Sequence, residues 1–188
     1  MKKKTIIISL FLVAILCFAG CNKKENKSPK TSNDSVVLYF SATGNTEKIA
    51  KKIAKASESD IIEIIPKEEY KDEDLDYNSD CRANREQNDS KARPEIKNEI
   101  DINKFDTIYL GYPIWWGTNP KIILTLIDTY DLTGKTIIPF CTSGSSDIEN
   151  SVNDLRRYNS NLNIKDGKRF SSDASDEEIK DFINNNSK

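Results

Sequence analysis

Four short apolar runs, Val36–Phe40, Ile61–Ile65, Thr107–Tyr112 and Thr136–Phe140, alternate with helical stretches, and a weaker run lies near Leu162–Ile164. They are rich in Val, Ile and Tyr and nearly continuous, as strands covered on both faces are, whereas strands with one wet face alternate apolar and polar residues. Between them, Thr46–Ala56 places Ile49, Ala50, Ile53 and Ala54 on one helical face, and Pro120–Tyr130 does the same with Ile123, Leu124 and Ile127. Ile148–Tyr158 and Asp176–Asn184 complete the helical set, and Pro120 stands where a helix start tolerates its missing N–H. This alternation predicts an α/β fold, a three-layer, doubly wound sheet of five parallel strands occupying residues 35–188.

The rhythm breaks once. Residues 66–104 form a long, charged insertion between the second and third strands, expected as a partly helical excursion or a structured loop across one edge. A functional segment and a solvated insertion are both open readings of it. Within it Asp72, Asp74 and Asp76 have the first spacings of a calcium loop, but Tyr77 stands where glycine is required and Ala83 where the twelfth-position Glu is required. A calcium loop is therefore rejected.

The chain of 188 residues contains no histidine, which excludes Ser-His, Cys-His and His-metal chemistry; any catalysis must come largely from a cofactor. A formal charge of −2 gives no strong field for nucleic acid, and no nucleic-acid partner is expected. The N-terminus reads as a targeting segment. Lys2, Lys3 and Lys4 precede an apolar run, Thr5–Phe18, too short for a comfortable membrane span, and small residues lead into Cys21. Residues 1–20 resemble a bacterial lipoprotein signal, with Cys21 the lipidated residue; an ordinary secretory signal or a retained anchor is the alternative. Residues 21–34 then form a polar, Lys-rich tether holding a domain at the outer face of the cell membrane, with the lipid its one membrane contact. Cys81 and Cys141 show no metal or CxxC spacing and are expected as free thiols.

The most informative loop is Ser41-Ala42-Thr43-Gly44-Asn45-Thr46, between the first strand and the first helix. It lacks the Lys of a nucleotide-triphosphate loop and the three glycines of a dinucleotide fingerprint. It offers three hydroxyls, one amide and a run of backbone N–H groups at a helix start, a donor set suited to the three oxygens of a terminal phosphate monoester. A plain helix-capping turn is the bland alternative.

This loop resembles the FMN phosphate loop of flavodoxins, and the resemblance extends over residues 35–185. It is closest to lipoprotein-type flavodoxins that carry GYPIWWGT, PFCTSG and an RANxEQ…RPEI segment, found here at Gly111–Thr118, Pro139–Gly144, Arg82–Gln87 and Arg93–Ile96. The resemblance implies the strand order 2-1-3-4-5 and an FMN cofactor bound by Ser41, Ala42, Thr43, Gly44, Asn45 and Thr46 at its phosphate. Pro113, Ile114, Trp115, Trp116 and Gly117 would form a second loop, with the tryptophan pair a flat wall against the isoalloxazine. It implies that the Trp116–Gly117 peptide can turn a carbonyl toward the flavin N5–H, stabilising its one-electron reduced form. Cys141, Thr142, Ser143 and Gly144 would serve the pyrimidine edge. The stacking Tyr of familiar flavodoxins is missing between Cys141 and Ser151, which implies one open flavin face.

The expected function is electron transfer between redox proteins or small electron carriers, without catalytic side chains in the usual sense. A nicotinamide-dependent FMN or quinone reductase on the same fold is the first alternative, and a non-redox module binding another phosphate ester the second.

Overall fold

Along β1 (Ser35–Tyr39), Val36 and Leu38 enter one apolar cluster and Val37 and Tyr39 another, each at most 5% exposed. The period of two thus serves both faces, as the near-continuous apolar run requires. This computed structural model describes residues 34–186. The lipoprotein signal, Cys21 and nearly all of the expected tether lie outside the described residues. Asp34, expected at the tether's end, already belongs to the fold, its carbonyl accepting from Asp106 N at 2.8 Å and Thr107 N at 3.1 Å.

Parallel pairing joins β1 to β2 (Asp60–Glu63) and β3 (Thr107–Pro113), and β3 to β4 (Thr136–Thr142). With β5 (Asn163–Ile164) beyond β4, the order is β2-β1-β3-β4-β5, as expected. The helices α1 (Asn45–Ser57) and α5 (Asp176–Asn186) cover one face through Ile49, Ile53, Ile179 and Phe182. The other face is covered by α3 (Lys121–Thr129) and α4 (Glu149–Tyr158) through Ile122, Ile123, Leu126, Val152 and Leu155.

The far edge differs from the expectation of a single fifth strand. A further strand, β6 (Lys168–Phe170), also pairs with β4, and the register shifts from Ile137↔Ile164 to Phe140↔Lys168. One extra residue on the edge strand makes this a bulge. Pro139 accounts for it. The Ile137 carbonyl accepts from Lys165 N at 2.8 Å, so the backbone of Pro139, two residues on, faces the same edge without an N–H to offer. The bulge aims β6 at the carboxyl edge of the sheet, where β1, β3 and β4 also end.

Residues 66–104 form a pinned excursion containing a 3₁₀ turn (Asp72–Leu75) and the short helix α2 (Arg82–Asn88). An antiparallel bridge between Pro66 and Ile96 closes its base. Its end is clamped by Arg93, whose guanidinium donates to Asp128 and to the Tyr158 hydroxyl, each at 2.7 Å. The acids considered for calcium serve the backbone: Asp74 accepts from Lys71 N at 3.0 Å and Asp76 from Asn78 N at 3.1 Å.

Candidate functional site

At the carboxyl edge of β1 the chain turns through Ser41–Thr46 into α1. Gly44 is the N-cap residue, at φ 79°, a conformation cheap only for a residue without Cβ. No side chain caps α1, so the plain capping turn does not explain the loop. The first backbone N–H groups of the helix lack intrahelical acceptors and face outward with the positive end of the helix dipole. Thr43 and Asn45 are exposed, the Asn45 amide donating to Thr43 Oγ1 at 3.3 Å. Ser41 Oγ is buried and has no hydrogen-bond partner, a state that costs about 1–3 kcal/mol when left uncompensated. Thr46 is 1% exposed and its hydroxyl bonds the Thr142 hydroxyl at 2.8 Å, fastening the loop to the end of β4.

Thr43 and Asn45 line a cavity of about 490 Å³, as do Pro113, Ile114 and Trp115 after β3. Thr142, Ser143 and Gly144 line it from β4. The three loops read from sequence thus meet in one place. The remaining expected residues stand nearby in other roles. Ser41 and Ala42 border a second cavity of about 350 Å³ behind the loop, with Glu63, Tyr70 and Lys97. Gly44 and Thr46 contribute backbone and anchoring. Cys141 is fully buried beneath the cavity, its backbone in the ladders to Tyr112 and Arg169. Burial pushes its thiol up from 9.0 to about 12, with Asp147 adding to the shift and Arg169 opposing it. It is an inert, packed thiol. Cys81 is likewise free, and its sulfur caps α2 by accepting from Asn84 N at 3.4 Å.

The tryptophans part company. Trp115 is 4% exposed and sits edge-on against Phe40 at 5.6 Å and Tyr70 at 5.1 Å, so the core fixes its ring. Trp116 is 41% exposed and its ring stands at 89° to that of Trp115, with centroids 6.5 Å apart, so the pair does not form the expected flat wall. Trp115 N donates to Thr118 O at 2.9 Å and Thr118 N to Trp115 O at 3.0 Å, closing a two-residue hairpin turn. Both central residues have positive φ, 49° at Trp116 and 76° at Gly117, which makes the turn type I′. Trp in the left-handed region is unusual and costs about 1–2 kcal/mol. Glycine at position 117 is therefore not enough to make the Trp116–Gly117 peptide cheap to turn. Turning it from type I′ would leave Trp116 at positive φ in the type II′ position that glycine dominates.

Residues outside the expected set complete the cavity. Leu75 and Tyr77 come from the excursion, and Arg169, Ser171 and Ser172 from β6 and its end. Arg169 Nη1 donates to Ser143 O at 3.2 Å, so the cation absent from the phosphate loop arrives from the edge strand. The excursion is bolted to the tryptophan turn: Gln87 Nε2 donates to the carbonyls of Trp115 and Asn119, both at 3.2 Å. The sequence signals for these residues are faint. Tyr77 stands in an acidic run and Arg169 in a three-residue strand without period.

A flavodoxin family model matches residues 34–186. A protein of Bacteroides eggerthii described as a flavoprotein is 38% identical, covers 82% of this chain and 98% of its own, and superposes with a TM-score of 0.79. Its counterpart from Bacteroides uniformis is 40% identical, with 81% and 98% covered and a TM-score of 0.78. A Lactobacillus acidophilus flavoprotein solved in complex with FMN is 30% identical, with 72% and 92% covered and a TM-score of 0.61. Comparison with proteins of curated function gives no match. Matched over its whole described domain and sharing the strand order with its three converging loops, this chain belongs to the flavodoxin family.

Proposed function

We propose that this protein is an FMN-binding electron carrier, held at the outer face of the cell membrane through lipid on Cys21, passing electrons between redox proteins or small carriers. The observation that carries the reading is the open donor set at the phosphate loop: a helix start without a side-chain cap, with Thr43 and Asn45 exposed and lining the cavity in front of it. A phosphate monoester fits it, since its oxygens accept from several neutral donors at once. Thr43 and Asn45 would hold that phosphate with the loop backbone, and Thr46 would keep the loop in place through Thr142. Pro113, Ile114 and Trp115 offer apolar wall to the ring system, and the residues from Thr142 to Gly144 offer polar groups at its rim.

The bound flavin supplies the capacity to take up and release electrons. The chain's own residues bind and orient it, exclude water from one side and set the charge around it. Without histidine there is no Ser-His or Cys-His pair to activate a nucleophile, and the Cys141 thiol is packed in the core rather than in the cavity lining. One observation favours the second reading, a nicotinamide-dependent reductase. Arg169 brings an exposed cation to the cavity, where an anionic second ligand could be met.

The test is a visible absorption spectrum of the chain mixed with FMN and then desalted. Retained flavin bands support the reading, and Thr43→Ala is expected to weaken FMN binding by about tenfold, one hydrogen bond to a charged group. A colourless protein overturns it. Bleaching by NADPH at catalytic rates selects the reductase, and reduction only by a one-electron donor selects the carrier. Fatty-acid labelling that survives in Cys21→Ser would reject the anchor.

A further inference from the structure

Two large aromatic rings stand exposed beside the cavity, Tyr77 at 55% and Trp116 at 41%. They touch, with centroids 4.6 Å apart and planes inclined by 51°. Of the two, Tyr77 belongs to the cavity wall, where Leu75 from the same excursion joins it. The residues that β4 contributes to the cavity, Thr142, Ser143 and Gly144, carry no ring. The excursion does not lie against the site by accident of crowding. The Gln87 bonds to Trp115 and Asn119 fix α2 to the tryptophan turn, and Tyr70 packs beneath Trp115. A ring carried on so anchored a segment, lining the cavity yet half open to water, gains most from a flat apolar partner laid against it.

We propose that Tyr77 is a cofactor-contacting residue, its ring lying against the isoalloxazine, so that residues 66–104 form one wall of the flavin site rather than a solvated insertion. The inference rests on the FMN reading above. It corrects the expectation of an open flavin face: the ring missing from the β4 loop is supplied from a remote segment. It also divides the aromatic work, with Trp115 fixed by the core, Tyr77 facing the ligand, and Trp116 backing Tyr77 from outside.

The full chain loaded with FMN gives the test, read as FMN affinity by titration and as quenching of flavin fluorescence by the adjacent ring. Tyr77→Ala is expected to lose about tenfold in affinity, near the upper end for one aromatic stacking partner, and to recover much of the lost fluorescence. Tyr77→Phe is expected to keep both. Trp116→Ala, which leaves Tyr77 in place, is expected to keep most of the quenching. The Tyr77 side chain is exposed, so the melting temperature of the FMN-free Tyr77→Ala protein should stay near that of the parent. Unchanged affinity and quenching in Tyr77→Ala overturns the proposal, as does the reverse ranking, in which Trp116→Ala restores fluorescence and Tyr77→Ala does not. Failure of the parent chain to bind FMN overturns the FMN reading itself, a different result from any of these.

Discussion

The loop Ser41–Thr46 and the excursion of residues 66–104 border the same cavity and are held by opposite means. The loop is short and is fixed by what adjoins it in the chain: β1, buried throughout its last four residues, and α1, whose start depends on Gly44. One buried Thr46–Thr142 bond completes its attachment. The excursion is held by contacts far along the chain: Ala83, Ile100 and Ile102 enter the core, Gln87 bonds a carbonyl 28 residues away, and Arg93 bonds a carboxylate 35 away and Tyr158 65 away. A binding loop set by its own strand and helix is aimed before the ligand arrives, whereas the exposed stretch of the excursion around Tyr77, residues 76–80, is the part of the wall that opens most readily. The difference predicts that the phosphate end of the site is rigid and the excursion end is where ligands enter and leave.

The most severe way to break this comparison is Trp115→Ala, because Trp115 belongs to both regions: it lines the cavity and packs against Phe40 of the core and Tyr70 of the excursion. Truncating a ring that is 4% exposed is expected to cost about 3–5 kcal/mol in urea unfolding. A loss below about 1 kcal/mol would mean that the excursion and the core do not share this ring.

A milder pair separates the regions. Thr46→Val leaves the buried Thr142 hydroxyl without its partner, at about 1–3 kcal/mol, and should lower global stability. Gln87→Leu should do less globally, because Trp115 O keeps its bond from Thr118 N. Its effect is expected in hydrogen exchange, faster across α2 with the amides of β1 and α1 unchanged. Equal acceleration in both regions would show that the excursion is not an independent opening unit.

Alkaline pH probes the loop side through Cys141. Its folded-state pKa is raised by burial from 9.0 to about 12, so the neutral thiol is the form the fold favours. That contribution is intact below pH 9 and is lost as pH rises toward 12, because the unfolded chain releases the proton first. Between pH 8 and pH 10, Cys141→Ala should remove about 1 kcal/mol of the pH dependence of unfolding. An identical slope in the variant would contradict the burial of the thiol.

These contrasts follow how much was legible in the sequence. The sheet, the helices around it and the three loops were legible because each depends on neighbours in the chain: apolar runs, a helix period, a glycine at a forced turn. The split edge strand was not, because Lys168–Phe170 is a strand only by virtue of β4 beside it, and the cause of the split, Pro139, lies on the other strand. Tyr77 and Arg169 were missed for the same reason. Neither has a local pattern, and both acquire a role only when the crossover and the bulge bring them to the carboxyl edge. The tryptophan pair was misread as one flat wall because adjacency says nothing of how the two rings leave a tight turn, and here they stand at 89° to each other.

The smallest expected effect concerns that turn, and it tests whether the tryptophan loop has one state or two. With φ 49° at Trp116 and 76° at Gly117, the central peptide of this type I′ turn can reverse only by passing Trp116 into the type II′ position, which strongly favours glycine. The Trp116 side chain is therefore a lock on its own carbonyl, independent of what its ring touches. Trp116→Gly removes the lock and the ring together, while Trp116→Ala removes the ring and keeps the lock, since alanine carries the same Cβ restriction. In FMN-loaded protein, the spacing between the two one-electron potentials of the flavin is expected to widen in the glycine variant relative to the alanine variant, at about 59 mV for each tenfold change in the one-electron equilibrium. The stability difference between the two should stay within about 1 kcal/mol, as relief of strain offsets the entropy of glycine. Equal spacing in the two variants would show that the peptide does not reverse even when free to do so, and the rigidity of this loop would then lie in its hairpin bonds rather than in Trp116.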